Sequence, residues 1–259
     1  MINKTVHYAV PILTDSLKDR IDDAIQSFKN KGLWREWGLD KLRDQGAAIL
    51  FHGPPGTGKT ISTYWLGKKL KLRVVEISMA DYGSHVPGEL ARNIKKIFRG
   101  ELSLSKMNRK PPPIIFLDEC DAMLVSRKKL GPDMIWMLEP INSLLVEISK
   151  YPGLVVLATN NLGMLDEAIE RRLIAKVRFD RPDFNTRYKI WKAKWPVKFP
   201  CQPTQNEYEQ LAEYELSGAE IENVLLLWAG RQMKNLALKP NVPNLIWFIA
   251  NKRDEYFEN

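Results

Sequence analysis

The sequence predicts an α/β protein, a parallel sheet flanked by helices with a smaller helical portion after it, and three observations carry that prediction. Continuous apolar runs, each about the length of one buried strand, stand just before Gly53, at 114–117 and at 154–159. Unbroken runs of this kind mark strands covered on both faces. Stretches with apolar residues at helical spacing alternate with them, which is the βα order of a parallel sheet. A chain of 259 residues, 44% hydrophobic and 27% charged, can bury a real core and hold a medium domain with a small companion. The boundary is expected at the Arg181-Pro182-Asp183 break, giving residues 1–180 and 181–259.

Taken in order, Leu17, Ile21, Ile25 and Phe28 recur at helical spacing behind Thr14 and Asp15, both able to cap a helix. Trp34 and Trp37 follow, and core packing is the plainer use for them, with an adenine pocket as the other. The first apolar run then ends in HGPPGTGKT, where Gly53, Gly58, Lys59 and Thr60 meet the G-x-x-x-x-G-K-[ST] spacing of a phosphate-binding loop. Its backbone must curl until successive N–H groups point inward, a path that Cβ atoms obstruct. Gly56, Thr57, Gly58 and Lys59 can donate there, whereas Pro54 and Pro55 cannot and instead stiffen the entry. A helix starting near Lys59 aims its positive end at the phosphates, with Lys59 reaching the β/γ-phosphates and the Thr60 hydroxyl coordinating Mg²⁺.

A helix over 61–70, a strand over 72–78, an irregular region over 79–88 and a helix over 89–99 come next. Pro111, Pro112 and Pro113 bar a helix, and the chain emerges as IIFLDE. Two acids directly after a buried strand sit at its carboxyl edge, where open α/β sheets bind ligands. This is the Walker B pattern: Asp118 is expected to hold Mg²⁺ and Glu119 to orient and deprotonate the attacking water. After a helical stripe through Leu138, Ile141, Leu144, Leu145 and Ile148, the strand at 154–159 ends on Asn160, placed either to hold water or the γ-phosphate or to make an ordinary turn. Arg171 and Arg172 follow a short helix beginning near Asp166, and two adjacent cations cannot both bury without anionic partners. Ser217 to Glu220 has capping-box spacing, and Ile221, Val224, Leu225 and Trp228 continue the helix it starts.

In order and spacing, GPPGTGKT, IIFLDECD, LVVLATNN, LDEAIERRLIAKVRF and SGAEIENVL resemble the AAA+ ATPases, the AAA clade above all, and single-module bacterial AAA proteins within it. The resemblance covers nearly the whole chain from about Trp34. It implies a five-stranded parallel sheet, a helical lid domain and a homo-oligomeric ring, usually a hexamer, with ATP and Mg²⁺ at the subunit interfaces. It also implies that Asn160 matches sensor 1, that Arg171 and Arg172 match paired arginine fingers, and that Gly218 and Ala219 match the sensor 2 region touching nucleotide. Related unfoldases carry a pore aromatic after the second strand. Aligned on Ser84, Gly88 and Glu89, this chain offers His85 and Val86 instead, with Tyr82 nearby.

The expected function is therefore an ATP-driven ring that remodels proteins or their complexes through a protein client or adaptor. A nucleic-acid-linked ATPase, such as a helicase loader, is the alternative that the net charge of +8 and cations such as Arg127, Lys128 and Lys129 keep open. A scaffold switched by slow hydrolysis is a weaker third. Cys120 and Cys201 lie too far apart in sequence to suggest a zinc site or a disulfide framework. The opening MINKTVHYAVPILTDS lacks a signal-peptide core, and no run reaches membrane-spanning length, so a cytoplasmic protein without a membrane partner is expected.

Overall fold

The structure is a computed structural model and describes residues 10–39, 47–78, 88–100, 111–121, 138–162, 165–234 and 240–252. The expectations at Tyr82, His85 and Val86, and at Arg127, Lys128 and Lys129, lie outside these residues. The elements run α1 (Asp15–Lys29), α2 (Lys31–Glu36), β1 (Ala47–His52), α3 (Lys59–Leu70), β2 (Val74–Ser78), α4 (Glu89–Phe98), β3 (Ile114–Asp118) and α5 (Leu138–Lys150). They continue with β4 (Leu154–Thr159), α6 (Glu167–Glu170), β5 (Leu173–Arg178), α7 (Phe184–Lys194), α8 (Gln205–Glu213), α9 (Gly218–Met233) and α10 (Val242–Lys252). By contacts the chain forms two compact units, one of Met1–Pro11, Ser16–Gly53 and Lys59–Phe179, the other of Ile12–Asp15, Pro54–Gly58 and Asp180–Asn259.

The first unit is built on a five-stranded parallel sheet of order β2-β3-β4-β1-β5. All six residues of β4 are buried, as are the first four of β3, so the unbroken apolar runs are the middle of the sheet. β1 lies between β4 and β5, in register from Ala47↔Leu154 to His52↔Thr159, so these two strands finish level with one another. On one side Leu90, Ile94 and Ile97 of α4 and Ile141, Leu144 and Ile148 of α5 pack into a single apolar cluster with strand residues. Tyr151 and Glu147 are among the polar residues buried there, and each has a partner. The Tyr151 hydroxyl donates to the Pro113 carbonyl at 2.6 Å, and Glu147 pairs with Arg99 at 3.2 Å.

In α1, Leu17, Ile21 and Ile25 form the buried stripe, and Asp22 pairs with Lys69 of α3. Trp37 departs from the sequence reading. It is 70% exposed, on the turn that follows α2 and next to Gly38 with its φ of 70°.

The second unit is helical around a tryptophan-rich core in which Trp191 and Trp228 are fully buried beside Leu211, Ile221, Val224 and Leu245. Buried indole N–H groups need acceptors. Trp191 donates to the Leu211 carbonyl at 3.1 Å and Trp195 to the Cys201 carbonyl at 3.0 Å, whereas the buried Trp228 Nε1 finds no acceptor among the described residues. Its four described helices start on capping side chains, Asp183 before α7, Thr204 before α8, Ser217 before α9 and Asn241 before α10, and those of α8 and α9 are complete capping boxes. Glu220, the acid of the α9 box, also takes Arg181 at 2.8 Å. Burial works to raise its pKa, yet the Ser217 N–H and the Arg181 guanidinium outweigh burial and hold the carboxyl below the ordinary range.

The Asp183 cap yields a test of sign. Hydrogen bonds from the Thr186 side chain and N–H hold its carboxyl below the ordinary aspartate range. A group depressed in the folded state contributes stability above its unfolded pKa and loses it as pH falls through the folded one. Asp183→Ala should therefore cost the helical unit about 1 kcal/mol at pH 7, the ordinary worth of an N-cap. That gap should narrow as pH falls below about 4, where the unfolded chain begins to take up the proton, and should close only lower, where the folded cap itself protonates; urea titrations at pH 7 and in that acid range, read by tryptophan emission, check it.

Candidate functional site

The site begins where β1 ends. Gly53 has φ of 141°, and a Cβ there would stand 2.0 Å from the Phe179 carbonyl oxygen, so no side chain fits. Its N–H donates to Thr159 at 3.3 Å, while the Phe179 N–H donates to His52 at 2.7 Å. The sheet therefore holds the first residue of the loop on two sides. Gly56 and Gly58 also have positive φ, 73° and 102°, the curl that turns backbone N–H groups inward. Pro55 at the crest is exposed, and the Thr57 hydroxyl donates back to the Pro54 carbonyl at 2.8 Å, closing the turn.

Within the second unit the crest rests on the start of α9. The Ala219 N–H donates to the Gly56 carbonyl at 3.4 Å, and a Cβ on Gly56 would meet the Ser217 hydroxyl at 2.7 Å and the Ala219 methyl at 2.8 Å. At Gly218 an added Cβ would make only ordinary contact, 3.5 Å from Gly56 O. The close approach thus depends on Gly56 more than on Gly218.

Lys59 opens α3 as a buried residue, and its ammonium donates to the Gly53 carbonyl at 2.7 Å. Burial lowers its pKa, and the Asp118 and Asp121 carboxylates push it back up. The Thr60 hydroxyl donates to Asp118 Oδ2 at 2.6 Å, joining loop and β3 across the sheet. A hydroxyl and a carboxylate this close are hard oxygen donors of the kind Mg²⁺ takes, beside phosphate oxygens, from a protein. Glu119 is exposed, has φ of 49°, and donates its N–H to Asp118 Oδ1 at 2.9 Å. A left-handed backbone at a non-glycine residue costs energy, and here it follows directly on the strand's last residue.

Cys120 is fully buried, with both its N–H and its thiol 3.1 Å from the Ala158 carbonyl; burial pushes the thiol pKa up. Asn160 is exposed at the end of β4. Asp121, which sequence reasoning passed over, accepts the Thr159 hydroxyl and, at 3.2 Å, the Asn161 N–H. Its only signal was the spacing D-E-C-D, a second acid two residues beyond Glu119.

The two arginines differ. Asp166 caps α6, and Arg171, just past the helix, has a side chain 80% exposed, 3.9 Å from Glu167. Arg172 is half-buried, its Nε donating to the Ser149 hydroxyl at 2.9 Å and its Nη1 to the Ala168 carbonyl at 2.7 Å.

The family described as "ATPase family associated with various cellular activities (AAA)" matches residues 49–181, just over half of the chain, from β1 through Arg181. The chain belongs to the AAA ATPase family. Among its relatives, the AAA chain is similar to a proteasome-activating nucleotidase of Sulfurisphaera tokodaii, 29% identical over 85% of this chain and 55% of that protein. A putative 26S proteasome regulatory subunit homolog of Methanothermobacter thermautotrophicus is 34% identical over 72% of this chain and 50% of its own length. An uncharacterized AAA family ATPase of Sinorhizobium fredii is 34% identical over 71% and 55%. The chain spans about half the length of these curated relatives. Among the described residues no helix is long and apolar enough to cross a membrane.

Gly53 offers the sharpest test of the AAA loop geometry. Gly53→Ala must displace the Phe179 carbonyl or the loop, and should weaken binding of a fluorescent ATP analogue at least ten-fold while lowering Tm by several degrees. Binding and melting at the parent's values would show that the close approach does not matter.

Proposed function

We propose that the chain is an ATP hydrolase whose turnover drives a ring that remodels proteins. The observation that supports this best is the 2.6 Å bond from Thr60 to Asp118, which joins the phosphate loop to the acid at the end of β3. Lys59, with the N–H groups of Gly56, Thr57 and Gly58, holds the β- and γ-phosphates, while Gly53, Pro54 and Pro55 shape the loop. Lys59 gives up its bond to Gly53 for a phosphate oxygen. Thr60 and Asp118 hold Mg²⁺, which when bound neutralises charge on the phosphate oxygens. Glu119 accepts a proton from the attacking water, and Asn160 orients that water or the γ-phosphate it attacks. Gly218 and Ala219, beside Gly56 in the helical unit, give residues 181–259 a means of registering an occupied loop, the role of a lid.

Arg171 reaches the nucleotide of a neighbouring copy in a homo-oligomeric, hexameric ring. Its exposure supports this role, whereas Arg172, tied to Ser149 and Ala168, braces the turn that presents it. A protein client or adaptor in the cytoplasm is in keeping with relatives named for the proteasome. The net charge of +8 favours the second reading, a nucleic-acid-linked ATPase, whose mark is steeply salt-dependent nucleic-acid binding that stimulates hydrolysis.

Glu119→Gln should bind ATP like the parent and lose most turnover, because the carboxylate moves a proton and does not hold phosphate, whereas Lys59→Ala should lose binding itself. Parent-level hydrolysis by the Glu119 variant would reassign the base. Arg171→Ala should bind ATP yet turn over about 10³-fold more slowly, as loss of an arginine finger does. Mixing it with Lys59→Ala subunits should restore part of the rate through mixed interfaces. Full activity of a dilute monomer would remove the role in trans.

A further inference from the structure

Residues 118–121 leave β3 beside residues 158–161 leaving β4, and four hydrogen bonds stitch these two exits together, one of them from the Cys120 thiol to Ala158 O at 3.1 Å. The Cys120 N–H donates to Ala158 O at 3.1 Å, the Thr159 hydroxyl donates to the Asp121 carboxylate, and the Asn161 N–H donates to Asp121 Oδ1 at 3.2 Å. The Thr159 hydroxyl, on a side chain in a residue 1% exposed, also stands 3.0 Å from both the N–H and the carbonyl of Asn161. Asn160 is thus the one residue between two that the same carboxylate oxygen holds. Its backbone has little freedom to rotate unless Asp121 lets go.

From the other side, Asp121 lies two residues beyond Glu119, whose left-handed backbone is already committed by its bond to Asp118. Two peptide units therefore separate Glu119 from the carboxylate that fixes the turn of Asn160. We infer that Asp121 is a positioning residue, a clasp that sets Asn160 relative to Glu119 so that one water can meet both. This rests on the catalytic reading of Glu119 and Asn160 proposed above. The clasp uses Asp121 as an acceptor of two hydrogen bonds, and its negative charge is incidental to that task. Acceptance and charge are separable, because asparagine keeps the Oδ1 acceptor and loses the charge.

The test compares Asp121→Ala, Asp121→Asn, Asn160→Ala and the Asp121→Ala/Asn160→Ala double variant, with kcat and KM for ATP and with affinity for a fluorescent ATP analogue. Asp121→Ala should lower kcat roughly ten- to a hundred-fold, the range typical of outer groups that orient a reacting one, and leave analogue affinity within about three-fold. Asp121→Asn should recover most of that loss. The double variant should be no slower than Asn160→Ala, because a residue that acts through another adds nothing once the other is gone. If Asp121→Ala does not fold, Thr159→Val removes one arm of the clasp without changing shape, and should lower kcat with affinity kept.

Other patterns overturn the proposal. Asp121→Asn as impaired as Asp121→Ala would mean that the charge matters, through Lys59 or a metal. A multiplicative double variant would mean that Asp121 acts independently of Asn160. Asn160→Ala impaired beside a fully active Asp121→Ala would sink the clasp and leave the catalytic reading standing. Full turnover of Asn160→Ala would remove that reading and the clasp with it.

Discussion

The level finish of β1 and β4 is the constraint on which the rest of the site depends. Parallel pairing in register puts His52 opposite Thr159, and each strand then hands its next residue to a different task. Gly53 turns into the loop while still bonded to Thr159, and Asn160 turns away from the same residue. A slip of one residue would reverse every side chain of β1 and bring Phe51, now buried and 4.9 Å from the Phe179 ring, to the wrong face. The apolar pattern that makes the core therefore also sets the loop, and the same burial cannot be kept while the loop is moved.

A second theme is how the site accommodates unlike charges at short range. Lys59 is buried, a state that disfavours its charge, and two carboxylates offset part of that cost. Asp118 serves the loop hydroxyl and the Glu119 N–H with its two oxygens, so its orientation is fixed from both sides. Arg171 and Arg172 solve the opposite problem, two like charges in sequence, by going to different surroundings: one to solvent, one to a neutral hydroxyl and a carbonyl.

What could be read in the sequence was local. The phosphate loop is legible because each of its fixed residues answers a steric or donor requirement of its own segment, and the capping box at Ser217 likewise. The strands were legible because buried parallel strands need no partner information to look apolar. What could not be read depends on segments distant in the chain. Asp121 and Thr159 are 38 residues apart, and nothing in either stretch announces the other. The inward bonds of Arg172 needed Ser149, 23 residues away. The start of α9 was legible from Ser217, whereas the 2.8 Å bond from Arg181 to Glu220, tying that cap to the segment before α7, was not.

Cys120 gives the seam between β3 and β4 a reporter of its own. Its thiol is wholly enclosed, hydrogen-bonded to Ala158, and kept protonated by burial, so in the closed protein it is neither nucleophilic nor within reach of a reagent. Alkylation there must wait until the two strands part, an event far rarer than the motions of a surface loop. The rate at which Cys120 is labelled is thus a clock for the opening of the sheet between β3 and β4.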